Sequence, residues 1–67
     1  MELRVPVSPE QEEVIADHLF KGTELGLLPG ERAWMIGQAR KVHAGCRIKA
    51  ADLDIENATW VLTLDGV

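Results

Sequence analysis

Sixty-seven residues leave room for one domain, and a chain this short buries only about 60% of the surface its unfolded form exposes. Total stability is then on the order of 3–10 kcal/mol, which leaves little to hold a strained catalytic pocket or a dry cofactor cavity. An apolar fraction of 46% and a charged fraction of 27% argue against disorder, and a single cysteine, Cys46, rules out an internal disulfide.

A secreted domain of this size usually carries several cysteines. No apolar stretch approaches the ~20 residues that span a bilayer, and Met1 to Val7 lacks the basic-then-apolar pattern of a signal peptide. The expectation is a cytoplasmic protein without membrane contact. The net charge of −4 is strongly partitioned. Residues 1–24 hold Glu2, Glu10, Glu12, Glu13, Asp17 and Glu24 against Arg4 and Lys21, for −4. Residues 25–49 hold Glu31 against Arg32, Arg40, Lys41, Arg47 and Lys49, for +4, and the remainder holds four acids and no base, for −4. Acidic ends around a basic middle steer encounters with charged partners.

In chain order, Leu3 to Val7 reads as a short strand, with Pro6 marking it as an edge or a strand end. Ser8-Pro9-Glu10-Gln11 starts a helix: Ser8 caps, Pro9 suits the first position, and Gln11 completes an S-x-x-Q capping box. Glu10, Glu12 and Glu13 suit its positive end. The helix should reach about Lys21 and stop at Gly22. Residues 22–30 form a connector whose Leu25, Leu27 and Leu28 tuck onto the core. A second helix is expected from Pro29–Glu31 to Ala44, with Met35, Ile36, Ala39, Val42 and His43 as its apolar stripe.

Beyond Gly45 the period becomes two. Cys46, Ile48 and Ala50 alternate with basic residues, and Trp60, Leu62 and Leu64 alternate with Thr59, Val61 and Thr63. Asp54 to Asn57 turns the chain into a C-terminal hairpin. The alternation slips at Ala50-Ala51, which predicts a bulge or break there; a helical turn over 50–57 is the competing reading. The fold class is α+β: a small two-layer domain of order β-α-α-β-β, with a short antiparallel or mixed sheet carrying helices on one face.

Catalytic signals are weak. His43 and Cys46 straddle Gly45, so their side chains diverge, and Cys46 falls on the inward phase of its strand as a structural thiol. The one serine, Ser8, is spent as a cap. Gly26-x-x-x-Gly30 lacks the Gly-Lys-Ser/Thr end of a phosphate loop. His18, His43 and Cys46 lack zinc spacing, and Asp52-x-Asp54-x-Glu56 lacks the later glycine and acid of a calcium loop. The reading is no enzyme, no metal and no cofactor.

The carboxylates are more informative. Glu10, Glu13, Asp17 and, if the helix persists, Glu24 share one helical stripe, and Asp52, Asp54 and Glu56 on a strand would project to one side about 7 Å apart. Such rows can imitate nucleic-acid phosphates in a basic groove; the plain alternative is a solvated face. Trp34 lies well off the apolar stripe, and Phe20 lies beside the acidic one. Core burial is the favoured reading for each, with an interface anchor as the other. Trp60 is core. Arg32, Arg40, Lys41, Arg47 and Lys49 offer a different use, phosphate contact by two helices and a hairpin resembling a winged helix-turn-helix, unless the bases pair with the acidic ends of the same molecule or of a symmetry mate.

In size, acidity and α/β make-up the chain resembles the small phage-encoded inhibitors of host DNA-handling complexes, of the anti-CRISPR and anti-restriction type. That resemblance is one of class and implies a stoichiometric inhibitor that blocks a DNA-binding groove with carboxylates. The leading expectation is therefore a DNA mimic that binds a protein partner with a basic surface, through Glu10, Glu13, Asp17, Asp52, Asp54 and Glu56, with Trp34 or Phe20 as anchor. The alternatives are a nucleic-acid-binding regulator using Arg32, Arg40 and Lys41, or a homodimeric assembly protein.

Overall fold

The computed structural model describes residues 1–66 and contains β1 (Glu2–Pro6), α1 (Pro9–Lys21), α2 (Glu31–Val42), β2 (Arg47–Asp54) and β3 (Thr59–Asp65). The order is the expected β-α-α-β-β, and the class is α+β. All strand pairing is antiparallel, in spatial order β1-β3-β2, so the C-terminal strand is central and the other two are edges. Pro6 ends edge strand β1, where its missing N–H costs no ladder bond.

β3 sets the layering. Trp60, Leu62 and Leu64 are buried on one face, opposite Val5 and Leu3 of β1 and Leu53, Ala51 and Ile48 of β2. Ile15 of α1 and Met35 and Ala39 of α2 close over that face, so both helices lie on the same side of the sheet. The phase slip in β2 falls one residue earlier than the alternation suggested. Lys49 is the unpaired residue, between Ile48, opposite Leu64, and Ala50, opposite Thr63. The bulge puts Ala51 and Leu53 inward and Asp52 and Asp54 outward. The segment is strand through Asp54 and then a four-residue turn, not a helix.

Several local expectations need correction. α2 stops at Val42, short of Ala44, because His43 has already left helical geometry (φ −131°). Val42, the last residue of α2, is 57% exposed despite its place on the predicted stripe. Leu25 and Leu28 are half-buried, but Leu27 is exposed, so the connector is pinned by only part of its apolar set. α1 ends at Lys21 with Gly22 in the left-handed region (φ 70°), donating its N–H to the His18 carbonyl.

The capping box forms only in part. Ser8 Oγ accepts from the Gln11 N–H at 3.2 Å. The Gln11 side chain does not reach back to the Ser8 N–H. It is fully buried and bridges the connector, donating to the Gly26 carbonyl at 2.9 Å and accepting from the Leu28 N–H at 2.9 Å. The Ser8 N–H goes instead to Glu31, whose Oε1 it meets at 3.1 Å.

Glu31, in the first turn of α2, is 1% exposed. Its carboxylate accepts three hydrogen bonds: from Ser8 N–H, from Ser8 Oγ at 2.5 Å, and from Trp60 Nε1 at 2.8 Å. No cation lies within ion-pairing distance of it among the described residues. Hydrogen bonds to the charged form and the positive ends of two helices carry the cost of burying it. Trp34 Nε1 adds a further tie, donating to the Pro6 carbonyl at 2.9 Å.

Truncation of Glu31 to Ala leaves buried donors on Ser8 and Trp60 without acceptors. At ~1–3 kcal/mol for each orphaned group, the expected loss is about 3 kcal/mol or more, a large part of the whole. Trp34→Phe, which removes one half-exposed bond, should cost about 1 kcal/mol. Urea denaturation followed by far-ultraviolet circular dichroism measures both; a Glu31→Ala loss below that of Trp34→Phe would show that the carboxylate does not hold the layers together.

Candidate binding surfaces

α1 presents the first surface. Ile15 is its buried centre, and at about 100° per residue Glu10, Glu13, Asp17 and Phe20 all lie roughly 140–160° away from it. All four are exposed, so they form the outward face of the helix. Glu24 does not extend this row, because the helix has already ended. Glu10 and Glu13 have no ion-pair partner among the described residues, and Asp17 meets Lys21 at 3.4 Å in an exposed i,i+4 pair. Such pairs are worth about 0.3–0.5 kcal/mol.

Phe20 corrects the favoured core reading. It is 86% exposed, at the end of the acidic row, because the buried face of α1 passes through Gln11 and Ile15 and leaves Phe20 across the helix. Leu19 is also half-exposed, so the C-terminal half of α1 stands away from the core. Trp34 is half-buried and fixed by its bond to Pro6, neither core nor free.

The strand carboxylates belong to a second surface. Asp52 and Asp54 share the sheet face opposite the helices, cross-strand from Val61 and Thr59. Glu56 lies beyond the strand, in the turn, so the three do not form a strand row. The two acidic sets expected to act together are thus separated by the sheet itself. Asp54 is moreover engaged within the monomer. Its carboxylate accepts from the Asn57 side-chain amide at 2.9 Å and backbone N–H at 3.3 Å, and Arg4 approaches to 3.7 Å. The Asn57 side-chain bond is the main cause holding its carboxyl below the ordinary 3.8, with the Asn57 backbone and Arg4 acting the same way against a counteracting desolvation.

A third surface carries most of the basic residues of the alternative reading, in a groove that periodicity did not indicate. Between α2 and β2 runs a groove of about 530 Å³ whose floor includes Met35, Ile36, Ala39, Ile48 and Trp60. Arg32 and Arg40 of α2 and Arg47 and Lys49 of β2 line it, and no acidic residue does. The groove exists because α2 lies nearest β1, at the far edge of the sheet, while Ala50 and Ala51 put little bulk on β2. Only Arg47 has a carboxylate partner, Asp65 at 3.7 Å; Arg32, Arg40, Lys41 and Lys49 have none among the described residues, so the basic middle is not neutralised by the acidic ends. Arg32, Arg40, Arg47 and Lys49 converge there through tertiary structure, whereas Lys41, grouped with them by sequence, does not line the groove.

Other chemistry-bearing groups are committed elsewhere. Cys46 is a free thiol, 3% exposed within the core. The Ser8 hydroxyl is held by Glu31 and Gln11, and His18 Nδ1 lies 2.7 Å from the Thr23 carbonyl. His43 is half-buried, and its Nε2 has no partner. Among the described residues no group of three or more His, Cys, Asp or Glu side chains is placed to hold a metal, and no helix is long and apolar enough to cross a membrane.

A carboxyl with a depressed folded-state value stabilises the fold above its unfolded value of about 3.9, and that contribution disappears as pH falls through the lower one. Asn57→Ala should therefore bring the Asp54 titration up toward its ordinary value, as followed by the NMR shift of its carboxyl carbon. An unmoved midpoint would refute the assignment to Asn57.

Comparison with family models, with curated proteins and with solved structures finds no match to this chain, so its surfaces alone carry the functional reading.

Proposed function

We propose that the chain works by binding and not by catalysis, as a small inhibitor that presents the outward face of α1 to a basic protein surface. Phe20 carries this reading. A phenylalanine left 86% exposed at the end of an acidic helical row gains nothing for the monomer, whereas an exposed aromatic side chain beside charged groups is the composition of an interface anchor. Glu10, Glu13 and Asp17 supply the charge that steers the encounter and stand where phosphates would in a nucleic-acid groove. The partner class that fits is a DNA- or RNA-handling protein.

This narrows the mimic to one helix. Asp52 and Asp54 face the other side of the sheet and Arg4 already offsets part of their charge, so they take no part in the same contact. Cys46 and Ser8 are both buried, which supports a role other than nucleophilic catalysis.

The groove favours a second reading, direct phosphate binding through Arg32, Arg40, Arg47 and Lys49. The two are separable. Glu13→Lys with Asp17→Lys, and separately Phe20→Ala, should each weaken capture of the partner from host lysate by at least tenfold while the melting temperature stays within a few degrees. The chain by itself should not retard DNA in a low-salt gel-shift assay. Retained capture by both variants removes the α1 reading, and a DNA shift abolished by Arg32→Glu with Arg40→Glu establishes the second one.

A further inference from the structure

We infer that the α2/β2 groove is the docking site for the α1 outward face of a second copy of this chain, so that the protein sequesters its own binding helix when no partner is present. The inference rests on the reading of that face as a docking surface. The two surfaces are complementary in each respect the structure allows to be compared.

Charge is the first. The groove carries Arg32, Arg40, Arg47 and Lys49 with no acidic residue, in a chain whose net charge is −4. The α1 face carries Glu10, Glu13 and Asp17 with no base other than Lys21 at its margin. Three of the four groove cations lack a carboxylate partner among the described residues, so an incoming acidic helix need break at most the exposed Arg47–Asp65 pair.

Length is the second. Glu13 to Phe20 spans roughly 10 Å and Arg32 to Arg40 roughly 12 Å at 1.5 Å per residue, so two carboxylates and the phenyl ring fit within the reach of the arginine pair. Apolar content is the third. Ile36 and Ile48 in the groove lining are only half-buried in the monomer, and Phe20 is the most exposed of the large apolar side chains. Each covers what the other leaves in water, in the manner of an amphipathic helix laid in a groove. Within one monomer the contact is barred, because α1 is already held over the core by Ile15 and tied to the connector by Gln11.

Sedimentation equilibrium over a wide range of concentrations tests this at low and at high salt. The expected result is a mass that rises above the 7.4 kDa of the monomer as concentration increases, and less so at high salt. Phe20→Ala, the pair Glu13→Lys with Asp17→Lys, and the pair Arg32→Glu with Arg40→Glu should each weaken association at least tenfold. All of these positions are exposed, and circular dichroism confirms that the fold persists. Mixing the two charge-reversed chains restores complementarity in both directions and should restore association. A monomer mass at every concentration, an association indifferent to Phe20→Ala, or a mixture that stays monomeric each overturns the inference. A monomeric protein that still captures a partner through Glu13, Asp17 and Phe20 sinks self-docking alone and leaves the proposed function standing.

Discussion

One buried carboxylate ties together parts of the chain that share few other contacts. Glu31 begins α2, accepts both donors of the residue that caps α1, and receives the indole N–H of Trp60 from the central strand. Gln11, one turn into α1, then binds both sides of the connector that leads back to Glu31. In a chain too small for a deep core, directional bonds to a desolvated anion fix the relative placement of two helices and a sheet more tightly than a few apolar side chains would.

The second constraint is the bulge at Lys49. A single unpaired residue resets the pleat of β2, so that Ala51 and Leu53 turn toward the helices and Asp52 and Asp54 away from them. The space between β2 and α2 has a separate origin, in the small side chains Ala50 and Ala51 and a helix that lies nearer β1. The charge partition along the sequence becomes a partition between surfaces, with carboxylates on α1 and on the back of the sheet and cations in the cleft between α2 and β2.

A surface built this way suits association. The core takes the aromatic ring of Trp60 but leaves Phe20 in water, and it leaves Arg32, Arg40 and Lys49 without counter-charges among the described residues. Exposed apolar and unpaired basic groups add nothing to a monomer of marginal stability. The proposed function and the proposed self-docking both use them against another surface, a basic protein groove for α1 and an acidic helix for the cleft.

Local chemistry alone made much of the fold legible. Ser8-Pro9 at one end and Gly22 at the other bound α1, and the alternation of Trp60, Leu62 and Leu64 marks β3 and its buried face, because caps and strand phase are properties of neighbouring residues. The partner of a side chain depends on distant segments and was not legible. Gln11 has the spacing of a capping-box residue yet reaches across to Gly26 and Leu28, and Glu31 looks like any first-turn acid until Ser8 and Trp60 are brought to it. Phe20 and the two aspartates of β2 went astray for the same reason: helical period states which residues share a face, but only packing against the sheet decides which face meets water. The sequence thus determined the elements, their order and the sign of charge each carries, while tertiary contacts decided that the carboxylates part to opposite sides and the cations gather around one groove.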